Sequence, residues 1–126
     1  MQPIPWPTRL TVNRDHSVLT VDYDDGTRHA VSAELLRVMT PSAERTGHGA
    51  RQVIGGKRGV TIRSIDPVGR YAVRIGFDDG HDTGLYTFET LHNLGTSPDE
   101  LFAAYEAELA KVALSRDRPG IAPAPS

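Results

Sequence analysis

Hydrophobic and polar positions alternate in short runs, and the runs recur. Leu10 and Val12 alternate with Thr and Asn across Arg9 to Asn13, the two-residue period of a strand buried on one face. A turn from Asn13 to Ser17 leads to a second alternating run, Val18 to Tyr23, and then to Asp24-Asp25-Gly26. An Asp-Gly step between alternating runs predicts a hairpin, because Gly accepts the positive φ such turns require. The return strand is Thr27 to Val31, and the Ser32 hydroxyl is placed to cap a short helix, Ala33 to Met39. Pro41 either opens another turn of helix after Thr40 or closes the first.

The second half repeats the scheme. Glu44 to Gly59 reads as a long loop carrying Gly47, Gly49, Gly55, Gly56 and Gly59. Val60 to Ile65 alternates, with a slip near Ser64, and Pro67-Val68-Gly69 predicts a turn. Tyr71 to Phe77 then places Tyr71, Val73, Ile75 and Phe77 on one face of a strand. Asp78-Asp79-Gly80 follows, Asp82 to Tyr86 returns, and Thr87 caps a helix to about Leu94 that Gly95 terminates. Val21-Asp-Tyr-Asp-Asp-Gly26 thus matches Ile75-Gly-Phe-Asp-Asp-Gly80 in sequence and in context.

Ser97-Pro98-Asp99-Glu100 is the sharpest local signal: a Ser N-cap, Pro in the first turn, and a Glu able to reach back to the Ser amide. Leu101, Tyr105, Leu109 and Val112 then share one face of a helix expected over 98–116. The tail, 117–126, is proline-rich with little to pack and is expected to be disordered. At the other end Pro3, Pro5 and Pro7 predict an extended entry anchored by Trp6. The expected fold is α+β in two layers. An antiparallel or mixed sheet comes from two β-hairpin-β-α units, with a C-terminal helix, in one domain over 1–116.

Composition narrows the chemistry. The 126 residues contain no Cys, which removes disulfides, thiolate-held clusters, Cys-type zinc sites and a thiol nucleophile. Net charge is −2, so no global field draws the chain to nucleic acid or membrane. No apolar run is long enough to span a bilayer and the N-terminus has no apolar signal core, so a cytoplasmic protein is expected. Charge is segregated, however. Arg45 to Ile65 holds Arg45, Arg51, Lys57, Arg58 and Arg63 and no acid, while Ile75 to Ala110 holds eight acids and no Lys or Arg. Two readings stand: the regions face and neutralise each other, or they steer a charged partner.

The ordered motifs carry a family resemblance. Leu35-Leu36-Arg37, Pro41-Ser42-Ala43-Glu44, Gly47-His48-Gly49, Gly56-Lys57-Arg58, Ile65-Asp66-Pro67-Val68-Gly69-Arg70-Tyr71-Ala72 and Phe77-Asp78-Asp79-Gly80-His81-Asp82-Thr83-Gly84-Leu85-Tyr86 occur in sequence. Together they resemble the gamma-butyrobetaine hydroxylase-like N-terminal domain family, over about Pro7 to Gly95. The resemblance implies a non-catalytic module. In the oxygenases of that family the domain is an appendage that holds a structural zinc through a Cys cluster and the His of the Asp-Gly-His motif. Here Leu36 to Ser42 lacks Cys and only His81 remains, so that zinc site is absent. Family members also occur fused to iron–sulfur P-loop ATPases, which implies a protein partner of that or a similar kind and a role near iron–sulfur assembly.

The residues themselves leave three chemistries to weigh. Asp79, His81 and Asp82, with Asp78, Glu89 and His92 nearby, are candidate ligands for a divalent Fe or Zn ion, although a hairpin alternates its faces and spacing alone brings fewer than three together. The stretch Arg45, His48, Arg51, Lys57 and Arg58 is a basic Gly-rich loop suited to recognition, but Arg58 follows Gly56-Lys57 where a P-loop needs Ser or Thr. No aromatic residue lies there to stack a base, so nucleic acid does not fit. No nucleophile elbow surrounds Ser42, Ser64 or Thr87. The expectation is a non-catalytic accessory module that uses the basic loop and the Asp-Gly-His hairpin, the alternative being a metal-binding accessory protein centred on His81.

Overall fold

A computed structural model describes residues 4–39, 52–82 and 84–123. The chain runs β1 (Pro7–Val12), β2 (Val18–Tyr23), β3 (Arg28–Ser32), α1 (Ala33–Val38), β4 (Gln52–Gly55), β5 (Ile62–Val68), β6 (Ala72–Phe77), β7 (Gly84–Thr87), α2 (Phe88–Thr96), α3 (Pro98–Lys111) and β8 (Gly120–Pro123). The fold is α+β. Its strands form two three-stranded meanders, β1-β2-β3 and β5-β6-β7, and a two-stranded ribbon, β4-β8. Every pairing is antiparallel.

The duplication holds at the level of single hydrogen bonds. In the first hairpin Gly26 N–H donates to Tyr23 O and Tyr23 N–H to Thr27 O, and in the second Gly80 N–H donates to Phe77 O and Phe77 N–H to His81 O. Gly26 and Gly80 have φ of 88° and 91°. These are type I turns closed by a glycine bulge, a three-residue hairpin loop that needs the left-handed region at its last position. Asp24 Oδ1 accepts Trp6 N–H at 3.0 Å, and Asp78 Oδ1 accepts Thr61 N–H at 3.0 Å. The first strand of each unit is bulged at the same place, between Pro7 and Arg9 and between Ile62 and Ser64. Ser32 and Thr87 cap the two short helices, accepting from Leu35 N–H and Thr90 N–H.

One half-buried meander cannot bury its apolar face alone. Leu19, Val21 and Val31 of the first sheet meet Ile75, Phe77 and Tyr86 of the second in a single cluster, closed by Leu35 and Leu36, Leu91 and Leu94, and Tyr105 and Leu109 of the three helices. Each fully buried aliphatic side chain contributes about 1.5–3 kcal/mol relative to exposure. Tyr86 brings its polar end into that cluster and donates its hydroxyl to Leu36 O at 2.5 Å, which satisfies a carbonyl near the end of α1.

Several local expectations are corrected. The tail is not wholly disordered: β8 pairs with β4 from Gln52↔Pro123 to Gly55↔Gly120. Neither four-residue strand has a strong pattern of its own, and each is held by the other, a non-local effect that periodicity does not register. The same pairing converts the second half of the Glu44–Gly59 loop into strand. Helix α3 stops at Lys111 rather than Arg116, because Ala113 turns left-handed at φ 60°. Leu114 N–H then bonds Leu109 O and Ala113 N–H bonds Ala110 O, a Schellman ending. Ser97 makes no side-chain cap bond; it closes α2 and opens α3 together, with φ −138° and ψ 57°. Gly95 lies inside α2, not beyond it, pressed on His29. Pro67 and Val68 belong to β5, and the turn begins at Gly69. Tyr71 leaves the core face, is 64% exposed, and meets Trp6 edge-on.

Candidate functional site

The second hairpin differs from the first in what surrounds its second aspartate. Asp25 Oδ1 accepts Thr27 N–H at 3.0 Å, and Asp79 Oδ1 accepts His81 N–H at 3.1 Å, so both carboxylates are aimed by the same turn. Asp79 Oδ2 additionally meets Arg37 Nε at 2.8 Å and Lys57 Nζ at 2.5 Å. Arg37 lies in the last turn of α1 with only 9% exposure. One carboxylate therefore ties the last turn of α1 to the residues that leave β4. Burial acts to raise the Asp79 carboxyl, but the hydrogen bonds from Lys57, the His81 amide and Arg37 outweigh it and hold the group at about 2.

A second ionic group lies alongside. Glu34, 5% exposed in α1, receives a bidentate pair from Arg116, with Nε at 2.8 Å and Nη2 at 2.6 Å. The Arg116 guanidinium also lies 4.9 Å over the Phe102 ring. Arg58 makes its own fork to Asp117, at 2.6 and 2.9 Å. Tyr105 donates its hydroxyl to Ile54 O, and burial first, then Glu34, pushes that phenol up to about 12.

These contacts place the described ones among the expected site residues. Lys57 and Arg58 each meet a carboxylate of the fold, Lys57 that of Asp79 and Arg58 that of Asp117 in a pair exposed at the surface. The basic and acidic stretches do meet, through Lys57 and Asp79. Arg45, His48 and Arg51 lie outside the described residues. His81 is half-buried, its ring 6.4 Å from that of Phe77, and Asp82 is exposed. Asp79, His81 and Asp82 do not converge as a metal set, and among the described residues no group of three His, Cys, Asp or Glu is placed to hold an ion. Asp79 would have to surrender two cations to act as a ligand. The zinc that the resemblance implies for other members does not fit the residues here.

Arg37, Glu34, Arg116 and Asp117 were not singled out for any role by sequence reasoning, since a buried charge has no local signature. For Arg37 the repeat offered a clue. It follows Leu36 as His92 follows Leu91, and Asp79 matches Asp25. Arg37 of the first unit reaches Asp79 of the second, and His92 of the second unit acts on Asp25 of the first through charge alone and weakly. The Asp25 carboxyl is held low chiefly by the hydrogen bonds from Thr27, with His92 assisting. Arg37 and Asp79 form an ion pair, whereas the matching position of α2 carries an imidazole, His92. The imidazole end is a cluster: ring centroids lie 5.1 Å apart for His29 and His92, 5.0 Å for Tyr23 and His29, and 5.4 Å for Tyr23 and His92.

The described surface includes a groove of about 260 Å³ between β2, β3 and α3 and another of about 320 Å³ between β1 and β5. Neither adjoins Asp79. No helix among the described residues is long and apolar enough to cross a membrane.

A duplicated meander whose halves are joined by one partly shielded aspartate defines a small α+β module. The chain belongs to the gamma-butyrobetaine hydroxylase-like N-terminal domain family, whose pattern it matches over residues 10–92. It is similar to two proteins solved by NMR in solution. One is 39% identical with a TM-score of 0.81, over 94% of each chain. The other is 42% identical with a TM-score of 0.79, over 92% of this chain and 90% of that one. It is also similar to a protein of unknown function from Acidithiobacillus ferrooxidans, assigned to the DUF971 family and solved by crystallography. That protein is 35% identical with a TM-score of 0.58, over 71% of this chain and 91% of its own. None of the curated proteins matches the chain.

Proposed function

We propose that this protein is a non-catalytic accessory module of the cytoplasm that binds a protein partner, using the segment between α1 and β5 and the Asp-Gly-His hairpin beside it. One observation carries the reading: Asp79 grips Arg37, where the chain leaves α1, and Lys57, where it leaves β4. Arg37, before the stretch holding Arg45, His48 and Arg51, and Lys57, beyond the β4 strand that follows it, thereby share one carboxylate. A rigid base under a long polar connection is the arrangement that recognition loops use, because the scaffold reduces the ordering entropy lost on binding. The partner class that the family resemblance supports is an iron–sulfur P-loop ATPase or a similar assembly protein.

The test is affinity capture from native extract with untagged-metal analysis on the same sample. Wild-type protein should retain a specific partner, and Arg45→Glu with Arg51→Glu should release it while the melting temperature stays unchanged. Lys57 and Arg58 are unsuitable for that test, since their ion pairs would be lost too. Capture that survives the double charge reversal, or no specific partner at all, refutes the reading. One equivalent of Fe or Zn that disappears in His81→Ala would favour the metal-binding alternative.

A further inference from the structure

The C-terminal stretch after α3 is bound on the side of α1 and β4 that leads into the Asp79 clamp, and its contacts are specific rather than generally sticky. Gly56 N–H donates to Ser115 O at 2.9 Å and Arg58 N–H to Arg116 O at 3.1 Å, so the residues on either side of Lys57 hang from this stretch by their own backbone. Arg116 is forked onto buried Glu34, Asp117 onto Arg58, and β8 completes the ladder with β4. The glycine pair is shaped to it. A Cβ on Gly55 would lie 2.4 Å from Arg118 O, and one on Gly56, whose φ is 76°, would lie 2.6 Å from Pro119 Cα. Gly55-Gly56 is therefore a close-approach surface for a second strand, not a flexible joint.

Apolar burial in this stretch is confined to Leu114, which packs on the core, and does not extend along β8. Ile121 is 63% exposed, and the strand's burial pattern is alternately half-buried and exposed. Losing Arg116 would leave the buried Glu34 carboxylate without its partner, so the fork fixes the register of the stretch. We propose that residues 114–123 form a strap that positions Lys57 against Asp79, with Glu34 and Arg116 as positioning residues. The strap fixes the residues that leave β4, and this rests on the function proposed above only for what the clamp presents to a partner.

Two variants of the full chain test it by different routes. Arg116→Ala removes the fork, and Gly55→Ala obstructs the strap without touching a charge. Backbone hydrogen exchange should show the Gly56 and Arg58 amides exchanging about tenfold faster or more in both. The β5-β6-β7 ladder should keep its protection. The Asp79 carboxyl, followed by carbon NMR, should titrate nearer the ordinary aspartate range once Lys57 is released. Arg116→Lys, which keeps the charge but not the fork, should fall between. If Gly56 and Arg58 open while Asp79 titrates as in wild type, the strap does not position the clamp and the proposal fails. It fails equally if protection is lost evenly across the fold. Both readouts use the isolated protein, so an empty capture experiment would overturn the proposed function and leave this inference standing.

Discussion

The Asp79 carboxylate and the Arg37 guanidinium meet at 2.8 Å across 42 positions of chain, joining the hairpin of the second unit to the helix of the first. The pair is half-shielded, with side-chain exposures of 19% and 11%. It links the duplicated halves at the point where the chain departs toward β4.

Asp79→Asn should lower stability at pH 7 by about 1–2 kcal/mol after allowance for solvent screening, because the amide leaves Arg37 and Lys57 without a counter-charge. The folded carboxyl titrates at about 2, below the unfolded value of about 3.9. Its contribution is therefore complete above about pH 4 and lost as pH falls through about 2. Urea unfolding at pH 7 and at pH 2 should show the gap between wild type and variant closing in acid. A gap that persists at pH 2 would contradict the assignment.

Gly95→Ala sets two effects against each other. Alanine favours an exposed helix interior over glycine by about 1 kcal/mol. Here the added Cβ would lie 2.6 Å from both Cβ and Nδ1 of His29. The first of these is fixed to the backbone of β3 and cannot swing away, and overpacking of this kind costs about 1–3 kcal/mol. Net destabilisation is expected, read as a lower urea midpoint at unchanged slope.

Ala113→Gly should do the reverse. Ala113 holds φ 60° at the residue that ends α3. That conformation costs an L-residue about 1–2 kcal/mol, and glycine has no Cβ to strain. After the extra entropy of glycine in the unfolded chain, a gain of about 0.5–1 kcal/mol should remain, seen as a higher thermal midpoint.

His29 should titrate below an ordinary histidine. Burial lowers it first and the neighbouring His92 second, while Asp25 acts in the opposite sense. Its Nδ1 and the Tyr23 hydroxyl are both buried without a hydrogen-bond partner. Because the folded value is depressed, His29 contributes stability above about pH 6.5, the unfolded value, and that contribution is lost as pH falls through the folded one. Proton–carbon NMR should locate the depressed midpoint, and His92→Ala should raise it. A His29 midpoint that His92→Ala leaves unchanged would rule out the coupling.

Much of the scaffold was readable before any coordinates. The two Asp-Asp-Gly hairpins, the caps at Ser32 and Thr87 and the alternating strands all arise from short-range chemistry: glycine's tolerance of positive φ, a hydroxyl near an orphan amide, and a two-residue apolar period. Where those signals misled, a longer-range contact had overruled them. Gly95 looked like a terminator but is the one residue small enough to lie against His29. Ser97 carried every mark of a side-chain cap, yet two helices meet at that single residue and set its backbone.

The candidate site divides along the same line. Asp79 and Lys57 were visible as charges, Asp79 as a candidate metal ligand and Lys57 as part of a basic stretch that either neutralises the acidic one or meets a partner. Sequence alone determined their residue types, their turn and their loop, because those depend on neighbours within a few positions. Only the tertiary structure decided that they neutralise each other, that Arg37 joins them, and that Glu34 waits for Arg116 at a separation of 82 residues. Ion pairs form between groups that folding brings within a few ångströms, and hydrophobic burial of the two meanders, not local propensity, determines which groups those are.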